Sequence, residues 1–446
     1  MRKVILGIVL LVIIASFSGC VEEKESETKK TTEEIATDFI TYLSQEKYNN
    51  AYNYFNSTVK DQFSFSQFKG TWEYFTGTYG DFESIRDTIP SNESGFDIVR
   101  INCTFAEGYV ITFRIVFDEL KEISGFWTDN IETINPYIAP DYVNLSSFTE
   151  FDITIGSGEW ELPGTISIPK GLGPFPCIVL VHGSGANDRD ETIGPNKPFK
   201  DIAWGLASEN IIVLRYDKRT LVYPEETAGD INLTVKEEVV DDAIEAVRLL
   251  KTYDEVNQNQ IYVLGHSLGG MMAPQIASFE DNITGLIMLA APARNLEDLI
   301  FDQTVYLSEM DGVIDENETS AINMTKEALV KIKSLNISED EKILTVYKAY
   351  WEYLNNYDQV ETADNLTIPI LLLQGKRDYQ VTFEDDFAIW NNTFSDNTNV
   401  LLKTYDLLNH LFISGQGIPT NTEYLIPGQV SEYVIQDILS WIKGES

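Results

Sequence analysis

The sequence predicts an α/β fold with a mostly parallel, doubly wound sheet and a helical cap, preceded by a small α+β domain. Continuous apolar runs predict the sheet, because strands buried on both faces of a parallel sheet lack polar alternation. These runs lie at 177–181, 211–216, 261–264, 283–290 and 368–374. A charged amphipathic helix at about 235–252 and a shorter helix at 271–279 alternate with them, as a doubly wound sheet requires.

The segment 32–127 is predicted to form the small α+β domain, because helical patterns come first and alternating strands follow. Its first helix, at 33–44, places Ile35, Phe39 and Leu43 on one stripe. Further helices are predicted at 48–55 and 66–75, and strands at 97–105, 109–117 and up to 127. The aromatic residues between 63 and 75 most simply form its core, and a ligand-binding cavity is the alternative.

A linker at 128–147, with prolines at 136 and 140, is predicted to precede the larger domain at 148–446. Within that domain an insertion at about 291–365 is expected to form the cap. Helices are predicted there at 326–335 and 339–357, with Tyr347, Tyr350, Trp351 and Leu354 on a shared face. That face either packs the cap onto the core or roofs the substrate pocket.

The N-terminus has the features of a targeting signal. Arg2 and Lys3 precede an apolar run at 4–17, and Ser-Gly then precedes Cys20. This arrangement resembles a lipobox, which implies a signal peptide at 1–20, cleavage before Cys20 and lipidation of its thiol. Residues 21–31 would be a charged tether to the membrane. An uncleaved anchor is the alternative, although the run is short for a bilayer span.

The net charge limits the partners of this chain, and its glycosylation acceptors favour an extracytoplasmic location. The formal net charge of −38 argues against nucleic-acid partners, because their phosphates would be repelled. Eleven Asn-x-Ser/Thr acceptors exceed the number expected by chance, which is about four. They lie at Asn56, Asn92, Asn102, Asn144, Asn232, Asn282, Asn317, Asn323, Asn336, Asn365 and Asn391.

The run 265–269 reads Gly-His-Ser-Leu-Gly and follows an apolar strand. Glycines on both sides of Ser267 allow a sharp strand-to-helix turn, so the pattern predicts a nucleophile elbow. The alternative is an ordinary glycine-rich turn. The amide of Leu268, at the start of the next helix, is a predicted oxyanion donor, and the Ser184 amide in the Gly-rich loop after 177–181 is the second.

Only three histidines are available as the base for Ser267. His266 adjoins the nucleophile on a tight turn, so its side chain is expected to point elsewhere. His182 is interpreted as a buried structural residue that braces the oxyanion loop. His410 is therefore the predicted base.

Asp378 is the predicted acid, because it lies just past a strand end, where a carboxylate can orient the imidazole. Asp217 also follows a strand, but Arg215, Lys218 and Arg219 flank it, which favours a structural salt bridge. Asp406 lies four residues before His410 on the same strand-to-loop segment.

From about Phe148 onward the chain resembles the α/β-hydrolases, and more narrowly the EstD-type carboxylesterases. The matching stretches are 162–169, 181–191, 216–219 and 265–270. This resemblance implies ester hydrolysis with Ser267 as nucleophile, Asp378 as acid and His410 as base, the order that the fold requires. The segment 32–127 resembles small nuclear-transport-factor-like domains that precede such hydrolases.

The sequence thus predicts a lipid-anchored carboxylesterase that acts on a small-molecule ester, with no cofactor and no metal site. An aminopeptidase, acylaminopeptidase or thioesterase with the same triad is the alternative enzyme. For a peptidase, Glu309, Glu327 or Glu352 in the cap could anchor a substrate amine. A non-catalytic surface binding protein is the alternative outside enzymes, and the intact triad argues against it.

Overall fold

The computed structural model describes residues 30–93, 95–133, 137–310 and 312–445, and the chain divides into compact units at 1–137 and 138–446. The predicted signal peptide at 1–20 and nearly all of the tether lie outside the described residues. Across the described ranges, no helix is both long and apolar enough to cross a bilayer.

The first unit is a small α+β domain, and its described residues form four helices followed by a four-stranded antiparallel sheet in the order β1-β2-β3-β4. Its elements are α1 Thr32–Ser44, α2 Tyr48–Tyr52, α3 Ser57–Gln62, α4 Phe65–Tyr79, β1 Phe82–Glu93, β2 Phe96–Phe105, β3 Tyr109–Phe117 and β4 Ile123–Thr133. A capping box between Thr31 and Glu34 begins α1.

Aromatic side chains form the core of this unit. Phe39 of α1 is fully buried, and its ring lies 5.4 Å from Phe55 and 5.1 Å from Phe126 of the sheet. Ile35 and Leu43 are buried beside it, so the predicted stripe on the first helix is confirmed. The aromatic side chains therefore account for the packing between helices and sheet.

Three features of this unit differ from the expectation, and the first is α3, which was not predicted. β4 continues to Thr133, so the first six residues of the predicted linker at 128–147 belong to the sheet. β1 was not predicted, because only about every third of its side chains is partly buried and the strand lacks the alternation of a half-buried strand. Pairing with β2 along nearly its whole length holds it in the sheet instead.

The second unit contains an eight-stranded sheet in the order β14-β13-β10-β9-β7-β8-β6-β5. Six neighbouring strands, from β14 to β8, are parallel, and β6 and β5 add antiparallel pairs at one edge. The strands are β5 Phe148–Ile155, β6 Leu162–Pro169, β7 Phe175–Val181, β8 Ile212–Tyr216, β9 Val256–His266, β10 Gly285–Leu289, β13 Ile370–Gly375 and β14 Val400–Tyr405. The predicted parallel sheet is confirmed.

Helices cover both faces of this sheet. α5 and α15 pack on one face, and α8 and α9 pack on the other, where Val179 of β7 points. A π-helical turn at Lys236–Asp241 leads into α8, within the predicted helix at 235–252. The helices are α5 Pro198–Ser208, α6 Arg219–Val222, α7 Pro224–Gly229, α8 Asp242–Leu250, α9 Leu268–Phe279, α14 Ala388–Thr393 and α15 Glu432–Lys443.

The cap lies between β10 and β13, as predicted. It contains α10 Leu296–Glu309, α11 Glu316–Ser334, a hairpin of β11 Lys342–Ile343 and β12 Val346–Tyr347, then α12 Lys348–Asn355 and α13 Gln359–Asp364. The single helix expected at 339–357 is wrong. Leu344 and Thr345 adopt φ angles of 49° and 79°, which turn the chain into the hairpin and delay the helix.

Candidate active site

Ser267 occupies a strained turn between β9 and α9. Its φ of 51° and ψ of −118° are costly for a residue with a side chain, and its amide donates to the carbonyl oxygen of Leu289 at 2.9 Å. A Cβ on Gly265 would lie 2.1 Å from the carbonyl oxygen of Gly269. A Cβ on Gly269 would lie 2.2 Å from the carbonyl oxygen of Val181. Only glycine fits on either side of the serine.

Asp378 and His410 form a buried pair. His410 Nδ1 donates to Asp378 Oδ2 at 2.7 Å, which leaves Nε2 of the imidazole as the proton acceptor. The other carboxylate oxygen, Oδ1, accepts from the amides of Gln380 and Val381 at 2.8 and 3.0 Å. Gln374 Nε2 donates to Oδ2 at 3.1 Å. These bonds hold the carboxylate in one orientation.

A close approach of two strand ends brings this pair together. β13 and β14 are parallel neighbours, so the loops that carry Asp378 and His410 leave the same edge of the sheet. A Cβ on Gly375 would lie 2.3 Å from the carbonyl oxygen of Leu408, so only glycine allows this contact. The buried Asn409 then accepts from the amides of Leu411 and Ile413 and shapes the histidine loop.

The side chain of His410 lies beside the serine turn. Its ring centroid is 4.7 Å from that of His266, the residue before Ser267. Within the described residues, Ser267 Oγ makes no hydrogen bond. Hydrogen bonds between a nucleophile and its base are commonly long without substrate and tighten only when substrate binds.

The loop after β7 lies directly against Ser267. A Cβ on Gly183 would be 3.1 Å from Ser267 Cβ. The amide of Gly183 donates to Glu191 Oε1 at 2.7 Å and is therefore occupied. In the described part of the chain, the amides of Ser184 and Leu268 have no protein acceptor, so they are the donors available to a ligand oxygen at this turn.

A buried Glu191–His266 pair connects this loop to the histidine loop. His266 Nε2 donates to the carbonyl oxygen of His410 at 2.9 Å, and its Nδ1 lies 3.0 Å from Glu191 Oε2. Burial lowers the pKa of His266, but the charge and hydrogen bonding of Glu191, the carbonyl of His410 and the charge of Asp378 together outweigh it, and the net pKa is raised. Burial raises the pKa of Glu191, but His266, His182 and the amide of Gly183 together outweigh it, and the net pKa is lowered. Through these contacts the pair joins the loop after β7 to the histidine loop.

His182 is fully buried between aromatic rings. Its ring centroid lies 5.2 Å from those of Phe199 and Tyr216, and burial lowers its pKa to about 4. A neutral imidazole packed in this way supports the loop, in agreement with its structural interpretation.

Asp217 forms the salt bridge that the sequence predicts, but with a different cation. Arg189 binds it through Nε and Nη2 at 2.9 and 2.7 Å, and none of the three flanking cations pairs with it. Arg215 pairs instead with Glu150 and Asp190. Neighbours along the chain point to different sides of a strand end, so adjacency in sequence misidentified the partner. Asp406 is exposed and pairs with Lys376.

Cap residues with predicted roles fall into two groups. Tyr350, Trp351 and Leu354 are buried on one face of α12, and Trp351 Nε1 donates to the carbonyl oxygen of Ile343. The packing of these side chains onto the core accounts for the shared apolar face of α12. Glu309, Glu327 and Glu352, the suggested amine anchors, are all exposed.

Several residues around the site were not predicted to take part. Glu191, Lys218 and Gln374 contact the loops of the site through buried polar side chains. A polar residue at the end of an apolar strand is the signal that could have found Lys218 and Gln374. Their partners lie far away in sequence, so the contacts themselves could not be read from it.

Among curated proteins, this chain is similar to esterase EstD of Thermotoga maritima. The two are 42% identical over 404 residues, which cover 91% of this chain and 93% of the relative. This chain belongs to the EstD esterase family. A family model described as "Serine aminopeptidase, S33" also matches residues 177–414 of this EstD-family chain, and a model described as a protein of unknown function (DUF3887) matches 36–126.

Solved structures similar to this EstD-family chain include Est1E from Butyrivibrio proteoclasticus. It is 17% identical, with a TM-score of 0.42, over 66% of this chain and 99% of that one. An acylaminoacyl peptidase from Pyrococcus horikoshii is 13% identical, with a TM-score of 0.42, over 74% of this chain and 52% of that one. Both similarities are too remote to bear on the reaction.

Proposed function

We propose that this chain hydrolyses carboxylic esters, with Ser267 as nucleophile, His410 as base and Asp378 as the acid that orients the base. The observation that carries this proposal is the 2.7 Å hydrogen bond between Asp378 and His410 beside the strained turn of Ser267. Membership of the EstD family supports an ester as the substrate.

In the proposed reaction, Ser267 Oγ attacks the ester carbonyl carbon while His410 Nε2 takes the hydroxyl proton. The tetrahedral oxyanion accepts hydrogen bonds from the amides of Ser184 and Leu268. The carbon–oxygen bond to the alcohol then breaks, and His410 returns the proton to the leaving alcohol. Water attacks the acyl-enzyme, His410 takes one of its protons, and the carboxylic acid is released with Ser267 restored.

Aminopeptidase activity is the second candidate, because the family model that matches residues 177–414 is described as a serine aminopeptidase. A substrate amine would gain little from an exposed carboxylate, because an ion pair in water contributes little binding energy. The three cap glutamates considered for this role are exposed, so they provide no such anchor. This observation favours the ester over the aminoacyl amide.

A matched substrate panel tests this choice. For p-nitrophenyl esters of short acids we expect kcat/KM at least about a hundredfold above that for aminoacyl p-nitroanilides, since the three cap glutamates suggested as amine anchors are exposed. Release of p-nitrophenol measures ester hydrolysis and release of p-nitroaniline measures anilide hydrolysis, both on one enzyme preparation. Faster cleavage of the anilides would make the chain a peptidase, and no cleavage of either would favour a non-catalytic binding protein.

We also propose that Cys20 is lipidated and anchors the enzyme outside the cytoplasm. The basic residues Arg2 and Lys3, the apolar run at 4–17 and the Ser-Gly before Cys20 support this. Surface glycans on some of the acceptor asparagines would agree with that location. Asn102 is a poor acceptor, because its side chain bonds Asp87 and Thr112 within the sheet.

The Cys20→Ser variant tests the anchor. In cells given a radiolabelled fatty acid, the wild type should carry label and partition into the detergent phase, whereas Cys20→Ser should lose both properties. The Cys103→Ser variant is the control, because its thiol is buried and free. Detergent partitioning of an unlabelled Cys20→Ser protein would indicate an uncleaved apolar anchor.

A further inference from the structure

Lys218 is a buried cation that contacts the oxyanion loop. Its side chain follows β8 and is almost completely shielded from solvent. Its Nζ donates to the carbonyl oxygen of Gly183 at 2.8 Å and lies 2.6 Å from Glu238 Oε1. The backbone amide of Lys218 also donates to the carbonyl oxygen of Asn187 in the same loop at 3.0 Å.

Peptide geometry gives this contact a consequence for Ser184. The carbonyl of Gly183 and the amide of Ser184 belong to one trans peptide, so they point in opposite directions. An ammonium group that holds the carbonyl therefore directs the Ser184 amide away from Lys218. It also withdraws electron density from the peptide, which strengthens the amide as a donor to an anion.

Glu238 and Tyr350 hold Lys218 in this position. Glu238 lies in the π-helical turn before α8, and its second oxygen, Oε2, accepts from the hydroxyl of Tyr350 at 2.8 Å. Burial, together with the charge of Glu238, keeps the pKa of Tyr350 above its ordinary value, so the hydroxyl remains a donor. Tyr350 belongs to α12, so a continuous chain of three contacts joins the cap to the oxyanion peptide.

Stability alone does not account for this arrangement. A buried ion pair contributes little net stability, because desolvation of both charges offsets their attraction. Besides its contact with Glu238, Lys218 donates a hydrogen bond to the carbonyl oxygen of Gly183, in the loop that faces Ser267. A Cβ on Gly183 would be only 3.1 Å from Ser267 Cβ, so a small rotation of this peptide alters the space in which the oxyanion would form.

We propose that Lys218 is a positioning residue that orients and polarises the Gly183–Ser184 peptide for the oxyanion, and that Glu238 and Tyr350 couple this peptide to the cap. The proposal rests on the esterase function proposed above. Lys218 itself does not touch the reacting atoms. Its effect is transmitted through the amide of Ser184.

The Lys218→Met variant of the full chain tests this role, because methionine retains the apolar stem and removes the charge. With a short-chain p-nitrophenyl ester we expect kcat to fall about tenfold to a hundredfold and KM to change less than about threefold, since the oxyanion forms only after binding. Affinity for a trifluoromethyl ketone, whose adduct with serine carries an oxyanion, should fall by a similar factor.

Arg219→Met is the matched control. Arg219 is the next residue, is also mostly buried, and pairs with Asp242 at 2.6 Å without contacting Gly183. The Arg219→Met variant should lower the melting temperature about as much as Lys218→Met does. It should leave kcat and the affinity for the ketone within about twofold of the wild-type values. Equal losses of kcat and ketone affinity in the two variants would overturn the proposal.

Tyr350→Phe tests the connection to the cap and serves if Lys218→Met does not fold. We expect a several-fold loss of kcat and of ketone affinity, and the double variant should lose less than the product of the two single effects. Unchanged kcat in a folded Tyr350→Phe protein would contradict the coupling. Turnover of the p-nitrophenyl ester by the wild type distinguishes failure of this proposal from failure of the esterase function, because only the second failure would remove wild-type ester turnover.

Discussion

Replacement of Ser267 by alanine should lower ester turnover at least about a thousandfold, because the acyl-enzyme route is lost and only the oxyanion donors and substrate binding remain. The backbone at this position has φ of 51°, which alanine tolerates about as well as serine, so the variant should fold. Steady-state hydrolysis of p-nitrophenyl esters and circular dichroism measure the two properties on the same sample.

The matched control is Ser278→Ala, at the other end of α9. Its hydroxyl is exposed and donates only to the carbonyl oxygen of Gln275. Turnover and melting temperature should both stay near the wild-type values. A fluorophosphonate should label the wild type and the control at Ser267 and should not label Ser267→Ala. Near-normal turnover in a folded Ser267→Ala protein would remove Ser267 from the mechanism.

Asp378→Asn should lower turnover by about three to four orders of magnitude, because an amide next to His410 favours the wrong imidazole tautomer. The wild-type carboxylate accepts from His410 Nδ1, and asparagine can present an N–H group there instead. The neighbouring donors Gln374, Gln380 and Val381 should keep the loop in place. The loss should therefore appear in kcat/KM more than in the melting temperature.

Two other aspartates provide the comparison. Asp217→Asn should mainly lower the melting temperature, because it weakens the bidentate pair with Arg189. Asp406→Asn should change ester turnover and the melting temperature only slightly, since the carboxylate of Asp406 is exposed. If Asp217→Asn lost turnover and Asp378→Asn lost only stability, the roles assigned to the two carboxylates would be reversed.

The sequence alone determined the parallel sheet, the position of the cap and the turn around Ser267. These features depend on local patterns. An apolar run without alternation identifies a doubly buried strand, and two glycines around a serine permit the sharp turn that follows β9. The small number of histidines also restricted the candidate base to His410, which the structure places beside Asp378.

Local patterns failed where several conformations suit the same residues. The segment 339–357 has the apolar spacing of a helix, but two residues with positive φ convert its first part into a hairpin. β1 shows no alternation and is held by pairing with β2 rather than by burial. In both cases neighbouring elements, rather than intrinsic propensity, decide the conformation.

Only the tertiary structure decided how the buried charges pair. Asp217 bonds Arg189, which is 28 positions away, rather than any adjacent cation. Lys218 contacts Gly183 and Glu238, and Glu191 joins the amide of Gly183 to His266. Electrostatic attraction depends on distance and burial in space, and parallel strands bring residues far apart in sequence to one edge of the sheet. The sequence therefore contains the charges, and the fold selects their partners.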